Sequence, residues 1–139
     1  MTKKVIVPGL VAGILMLVVA LALGWVYNAI FPGLQNEYTN PNLFRSWSDP
    51  LMSWYFVHPF LVGLLLAWIW NKTKVLFATT LTPLQQAVRF ASIYWVFSVC
   101  GMIMTYSSFP VSLLMVGTWT VSILFEGLAA SFLLAKLNR

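Results

Sequence analysis

The chain has 139 residues, of which 60% are hydrophobic and 8% are charged, with a mean hydropathy of +0.86 and a net charge of +5. Soluble domains carry about 25% charged residues, so this composition excludes an ordinary soluble domain and indicates a membrane protein. Basic residues beside the membrane explain the net charge, and we expect no nucleic-acid binding. The single cysteine, Cys100, excludes an intrachain disulfide and a cysteine-rich metal site.

The first apolar stretch covers about residues 5–31, and crossing a bilayer as a helix needs about 20 residues. Its start imitates a secretory signal, but the apolar run continues beyond the apparent cleavage site, so we expect an uncleaved helix. Gly9 and Gly13 have the four-residue spacing of helices that approach closely in lipid. We expect them to pack within one bundle, with a dimer interface as the alternative.

A polar segment, residues 32–49, joins this helix to a second apolar span, residues 50–70. Its aromatic side chains predict a position along the membrane surface, with a short interfacial helix near residues 42–47. A segment of this length is often functional, and simple connection is the alternative. Within the second span a proline predicts a kink, and small-residue positions recur every four residues. These positions are Pro59, Gly63 and Ala67.

A helix-start signal at Thr82 and Pro83 precedes a third span, residues 84–106, and a short turn leads to a fourth, residues 110–135. The pattern predicts a single all-α domain, a four-helix up-down transmembrane bundle. Seven of the eight basic residues fall on the side of both termini. They are Lys3, Lys4, Lys72, Lys74, Arg89, Lys136 and Arg139, and Arg45 alone is opposite. This asymmetry predicts an inner-membrane protein with both termini in the cytoplasm.

The short turn makes the last two spans an antiparallel hairpin, in which small and polar residues recur at three- and four-residue steps on both helices. Counting outward from the turn predicts which residues face each other. The pairs are Thr105 with Ser112, Gly101 with Met115, Ser98 with Trp119, Tyr94 or Trp95 with Ser122, and Ala91 with Glu126. In such a close-packed seam Gly101→Leu is expected to destabilise the protein.

Glu126 is the main functional candidate, because it is the only carboxylate in the fourth span. An ionised carboxylate inside a bilayer is costly, so Glu126 must be protonated, be paired, or face protein or water. One hypothesis is a proton or cation site. The alternative is a neutral acid that fixes the hairpin through hydrogen bonds to nearby polar groups. The candidates for these bonds are Tyr94, Ser92 and Ser122.

His58 is the only histidine, and metal or haem ligation would need further ligands that only a homodimer could supply. We expect an interior histidine that is hydrogen-bonded to Asn28, Tyr106 or the carbonyl freed by Pro59. Enzyme signatures are missing, and we expect neither catalytic activity nor a cofactor or metal. The candidate ligand- or proton-binding residues are Glu126, Tyr94, Ser122, Ser98, Trp119, His58 and Asn28.

Two motifs carry a family resemblance: GWVYN at residues 24–28 and TYSSFP at residues 105–110. Through them the chain resembles uncharacterised small four-helix membrane proteins of bacteria and archaea, a resemblance that implies a fold and no chemistry. Small multidrug transporters also have four short helices and one membrane glutamate. Theirs lies in the first helix, whereas the first span here has no acid.

Two functions from different classes fit the sequence. One is a binding or transport module for a lipid or a small hydrophobic or cationic molecule, with Glu126 as the proton or cation site. The alternative is a structural or accessory subunit of a larger membrane complex. The expected partners are membrane lipids. A homodimer or a larger membrane complex is the further alternative. A cavity reaching Glu126 would favour the first function, and unused small-residue stripes facing lipid would favour the second.

Overall fold

The computed structural model describes residues 3–77 and 81–137, which form five α-helices. In chain order they are α1 (Lys3–Ile30), α2 (Leu34–Tyr38), α3 (Trp54–Thr73), α4 (Pro83–Ser108) and α5 (Leu113–Leu137). Short 3-10 helices, Pro50–Ser53 and Lys74–Leu76, flank α3. All but α2 are long and apolar enough to cross a membrane. The all-α class and the four long spans predicted from the sequence are therefore confirmed.

The start of α4 follows the predicted signal. The Thr82 hydroxyl accepts a hydrogen bond from the Gln85 amide at 3.3 Å, and the Gln85 side chain accepts one from the Thr82 amide at 2.9 Å. This reciprocal capping satisfies two amides that the first turn leaves without helical partners. Pro83 occupies the first turn, where its missing amide proton costs nothing.

The segment between α1 and α3, residues 31–53, differs from the prediction. Residues 42–47 form no helix; α2 lies earlier, at Leu34–Tyr38, and residues 41–43 form a turn. The physical reason is burial, because Leu34 is only 1% exposed and packs against Val111 and Met115 at the start of α5. We call this part of the chain the α1–α3 segment, and the end of the bundle where it lies the loop end.

The helix α1 is central, because it packs along both α3 and α5. The helix α4 packs along α5 on the far side, while α3 touches α5 at only a few positions. The backbones of α3 and α4 come close at no more than a few positions within the described residues, but at the end opposite the loop end Trp70 of α3 packs edge to face on Phe90 of α4, with ring centroids 5.2 Å apart. The four long helices therefore stand in the order α3, α1, α5, α4, and the first and last of them are joined by this aromatic contact at one end and separate in the loop half.

The contact between α1 and α3 has the closest backbone approach among the described helices. A Cβ atom added at Gly63 would collide with the carbonyl oxygen of Gly9 and lie 2.6 Å from the amide nitrogen of Gly13. A side chain at any of these three positions would force the helices apart, which is why the small-residue stripes are there. The expectation that Gly9 and Gly13 pack within the bundle is confirmed.

The hairpin of α4 and α5 follows the prediction only in its middle. The Tyr94 ring lies against Gly127 with Ala91 nearby, and the Trp95 indole donates to the Thr120 carbonyl at 2.9 Å. The predicted pair of Gly101 with Met115 is wrong. Gly101 is exposed and has no atom within 4 Å of an added Cβ.

The α1–α3 segment explains this error. Met115 is fully buried, but it packs with Leu34, Val111 and Val116 and so turns toward the segment. The segment therefore covers the face of α5 that the hairpin pattern assigned to α4. Gly101 is left on the outer surface of α4.

Candidate functional site

A cavity of about 610 Å³ occupies the loop half of the molecule, between α1, α3 and α5. The α1–α3 segment covers its loop end, and α4 contributes Met102. Most of the wall is apolar. The polar and charged residues on the wall are Tyr27, Asn28, Gln35, Tyr38, Arg45, Tyr55, His58, Ser122 and Glu126.

Helical spacing explains why the α5 wall is continuous. Trp119, Ser122, Ile123 and Glu126 follow one another at steps of three, one and three residues, which places them on one helix face. The face covers two turns, so Trp119 and Glu126 are separated by about 10 Å along the axis at 1.5 Å per residue. Trp119 is at the loop end, and Glu126 is near the middle of the span.

Glu126 faces the cavity without a partner. Its side chain is partly buried, and it makes no hydrogen bond or ion pair with any residue in 3–77 or 81–137. The predicted hydrogen bonds are not formed. Tyr94 packs on Gly127 and is only near enough to interact with Glu126 electrostatically, and the Ser92 hydroxyl donates to Val88 of its own helix at 2.8 Å. Ser122 lies beside Glu126 on the wall but is not bonded to it.

His58 is also on the wall, next to the helix-breaking Pro59. The expectation of an interior, hydrogen-bonded histidine is wrong, because His58 is exposed and has no hydrogen bond within the described part of the chain. Pro59 is the buried member of the two and packs toward Gly13. This packing rotates the neighbouring histidine toward the rim of the cavity.

The structure thus brings five of the seven candidate residues to one cavity: Asn28, His58, Trp119, Ser122 and Glu126. Tyr94 and Ser98 are not on its wall. The Ser98 hydroxyl donates to the Tyr94 carbonyl one turn earlier at 2.9 Å, so it serves its own helix. Among the described residues, no three metal-binding side chains converge here or elsewhere.

Sequence reasoning missed the side chains of the α1–α3 segment that complete the site. The Trp119 indole donates a 2.7 Å hydrogen bond to the Tyr38 hydroxyl, and the rings of Tyr38, Phe44 and Trp119 lie 5.7–6.4 Å apart. Burial raises the pKa of Tyr38, so its hydroxyl keeps its proton while its oxygen accepts this bond. We call these three residues the aromatic cover, because they form the loop end of the cavity.

Glu37 fixes the same segment to α5. Its carboxylate accepts a 3.1 Å hydrogen bond from the amide of Ser112, just before α5 begins. The amides at a helix start have no helical partners and attract negative charge. The bond joins residues 75 positions apart in sequence, so no local pattern could have revealed it.

The one cationic side chain on the wall is already neutralised. The Arg45 guanidinium donates to the Asp49 carboxylate at 2.9 Å. The Leu51 amide and this guanidinium hold the pKa of Asp49 below its usual range, so the pair stays charged and balanced. Among the described residues of the wall, Glu126 is therefore the acidic group that has no cationic group in contact with it.

Glu37→Ala should loosen the α1–α3 segment, since it removes the bond to the Ser112 amide. Hydrogen–deuterium exchange of residues 34–44 should become faster, while the exchange of α3 stays unchanged. Asn36→Ala is the matched control, because this neighbouring side chain is exposed. Equal exchange in both variants would show that Glu37 does not hold the segment.

Comparisons of the chain with protein-family models, with curated proteins and with solved structures give no match.

Proposed function

We propose that the protein is a multi-pass protein of the cell membrane with both termini in the cytoplasm. The support is the charge distribution: Lys3, Lys4, Lys72 and Lys136 lie near the end opposite the loop end, and Arg45 lies at the loop end. Basic residues are retained on the cytoplasmic side of inner-membrane proteins. In this orientation the α1–α3 segment and the cavity face the outside of the cell.

Cysteine labelling tests the orientation. In a Cys100→Ser background, a cysteine at Asn40 should react with a membrane-impermeant maleimide in intact cells. A cysteine at Thr73, at the end of α3, should react only after the membrane is permeabilised. Reaction of both from outside would contradict the arrangement, because Asn40 lies in the α1–α3 segment at the loop end and Thr73 at the far end of α3.

The cavity is proposed to bind a hydrophobic molecule that carries a cationic group, with Glu126 as its counter-charge. The observation that carries this proposal is an unpartnered carboxyl group facing an apolar cavity of about 610 Å³. Ligand sites of about 300–1,000 Å³ are mostly apolar with a few placed polar groups, and this cavity has that size and composition. Ionisable residues inside a membrane commonly mark ligand or ion pathways.

The aromatic wall supports a cation rather than an anion. The faces of Trp and Tyr rings attract organic cations, with a gain of about 0.5–2 kcal/mol for each contact. Trp47 and Tyr55 form a second ring pair on the wall, 5.7 Å apart and edge to face. Because Arg45 is neutralised by Asp49, the field at the wall is set by Glu126 and the rings.

The same carboxyl group provides a way to bind and release the ligand. A protonated Glu126 is neutral and stable in the apolar wall, and an ionised Glu126 attracts the cation. A proton and a cation would then compete for one group, as coupled transport requires.

Native mass spectrometry from a mild detergent tests the proposal. Protein incubated with dodecyltrimethylammonium should retain one cation per chain. It should retain much less of the neutral analogue, in which tert-butyl replaces trimethylammonium. Equal retention of both would contradict a cation site, and a mass corresponding to a stable complex with another protein would favour an accessory subunit.

A further inference from the structure

The walls of the cavity are not equally closed. At the loop end the aromatic cover is fixed by the Tyr38 and Glu37 hydrogen bonds and by the buried Leu34. On the α1 side, α1 packs along both α3 and α5. The loop end is not sealed, since Gln35, Arg45 and Trp47 line the cavity there and are exposed, and entry from water at this end is the alternative that the test below decides.

The open side lies opposite α1, between α3 and the hairpin of α4 and α5. Here α3 touches α5 at only a few positions, and its described contact with α4 is at Trp70 and Phe90, at the end opposite the loop end, so the opening is confined to the loop half. Tyr55 and His58 point to the same opening, because both line the cavity and yet are exposed, Tyr55 by 47%. Met102 is the residue that α4 contributes to the cavity wall, and it also packs against the buried cluster that includes Leu34 and Met115.

Every described helix beside this opening is one of the four long apolar helices. In a bilayer the opening therefore meets lipid chains and not water. A molecule that enters through it must first dissolve in the membrane, and a hydrocarbon chain attached to it can stay in the opening after the head has entered.

We propose that the cavity takes its ligand sideways from the bilayer, and that the ligand is a single-chain amphiphile with a cationic head. This inference rests on the proposed function, since it assigns the entry route and substrate class of the same site. The head lies between Glu126 and the aromatic cover, and the chain leaves between His58 and Met102. An amphiphile of this kind matches the site in polarity. The carboxyl group and the ring faces of the cavity suit a cationic head, and the apolar surroundings of the opening suit a hydrocarbon chain.

The test uses protein in lipid nanodiscs and two cationic probes. Dodecyltrimethylammonium has a chain and partitions into lipid; benzyltrimethylammonium is compact and stays largely in water. The first should bind, and the second should bind at least about tenfold more weakly, because it has no hydrocarbon chain to place in the opening. Binding can be followed by intrinsic fluorescence, since Trp47 and Trp119 line the cavity.

A pair of variants tests the route itself. Met102→Trp narrows the opening and should slow association of dodecyltrimethylammonium by about tenfold or more, since steric restriction acts on the association rate. Ile103→Trp is the matched control: it adds the same ring to the next residue, which is 64% exposed on the surface of α4, and should leave the rate unchanged.

The outcomes separate the two proposals. If neither probe binds in a way that depends on Glu126, the proposed function is wrong. If both probes bind equally well through Glu126, the cation site stands and the assignment of a single-chain amphiphile is wrong. If dodecyltrimethylammonium associates with Met102→Trp and Ile103→Trp at the same rate, the cation site stands and the sideways route is wrong. Slower association in Met102→Trp alone, with weak benzyltrimethylammonium binding, supports the inference.

Discussion

Gly63→Leu should cause the largest loss of stability of any single change in the membrane helices. A leucine side chain here meets the backbone of Gly9 and Gly13, which cannot rotate away as a side chain could. Overpacking lowers the free energy of unfolding by about 1–3 kcal/mol where neighbouring side chains can adjust. The loss should be larger here, because backbone atoms cannot move aside as a side chain can. We expect the thermal unfolding temperature in mild detergent to fall sharply, with a large fraction of the protein lost during purification.

Gly101→Leu is the matched control for this prediction. It makes the same change in another long helix, but the added side chain meets open space. Its unfolding temperature should stay close to that of the wild type. If Gly101→Leu were the more damaging change, the packing of α1 on α3 described here would be wrong, and the seam predicted from the sequence would be right.

Glu126→Gln should remove cation binding without affecting the fold. Glutamine has nearly the shape of glutamate and remains polar, but it carries no charge. The trimethylammonium head has no N–H to donate, so its attraction to the carboxylate is Coulombic, about 3 kcal/mol at a separation of about 5 Å and an effective dielectric constant of about 20. Desolvation offsets part of this gain, and affinity for dodecyltrimethylammonium should fall by about tenfold to a hundredfold in the variant. Since Glu126 has no partner within the described residues, the unfolding temperature should not change.

The neutral tert-butyl analogue is the control for this second prediction. Its weak binding should be the same in the wild type and in Glu126→Gln, because it makes no charge interaction. An unfolding temperature that falls in Glu126→Gln would indicate that the carboxyl group holds the helices together. That result would favour the structural role for Glu126.

The sequence predicts the spans and the small-residue faces of α1 and α3 well, because both depend on local composition. It does not predict that these two faces pack against each other, with Gly63 on Gly9 and Gly13, which only the structure shows. Spacing also predicts that Ser122 and Glu126 share a face of α5. The same periodicity places Tyr94 near Glu126, and the structure agrees to within about one turn.

What the sequence cannot predict here depends on contacts between distant parts of the chain. The pairing of Gly101 with Met115 fails because Leu34, in the α1–α3 segment, packs where α4 was expected. Periodicity gives the face of a helix but not the neighbour that covers it. The aromatic cover depends on a bond between Tyr38 and Trp119, 81 residues apart, and His58 reaches the rim only because Pro59 packs inward.

The central claim is that Glu126 binds a proton or a cation in the cavity. The most direct measurement is the affinity for dodecyltrimethylammonium against pH, for the wild type beside Glu126→Gln. The probe has no titrating group, so any pH dependence of the affinity comes from the protein. His58 is present in both proteins, so a pH dependence that it causes would appear in both curves. We predict that wild-type affinity rises with pH as the carboxyl group loses its proton, and that the Glu126→Gln curve is weak and flat. Two curves of equal height and shape would contradict the account.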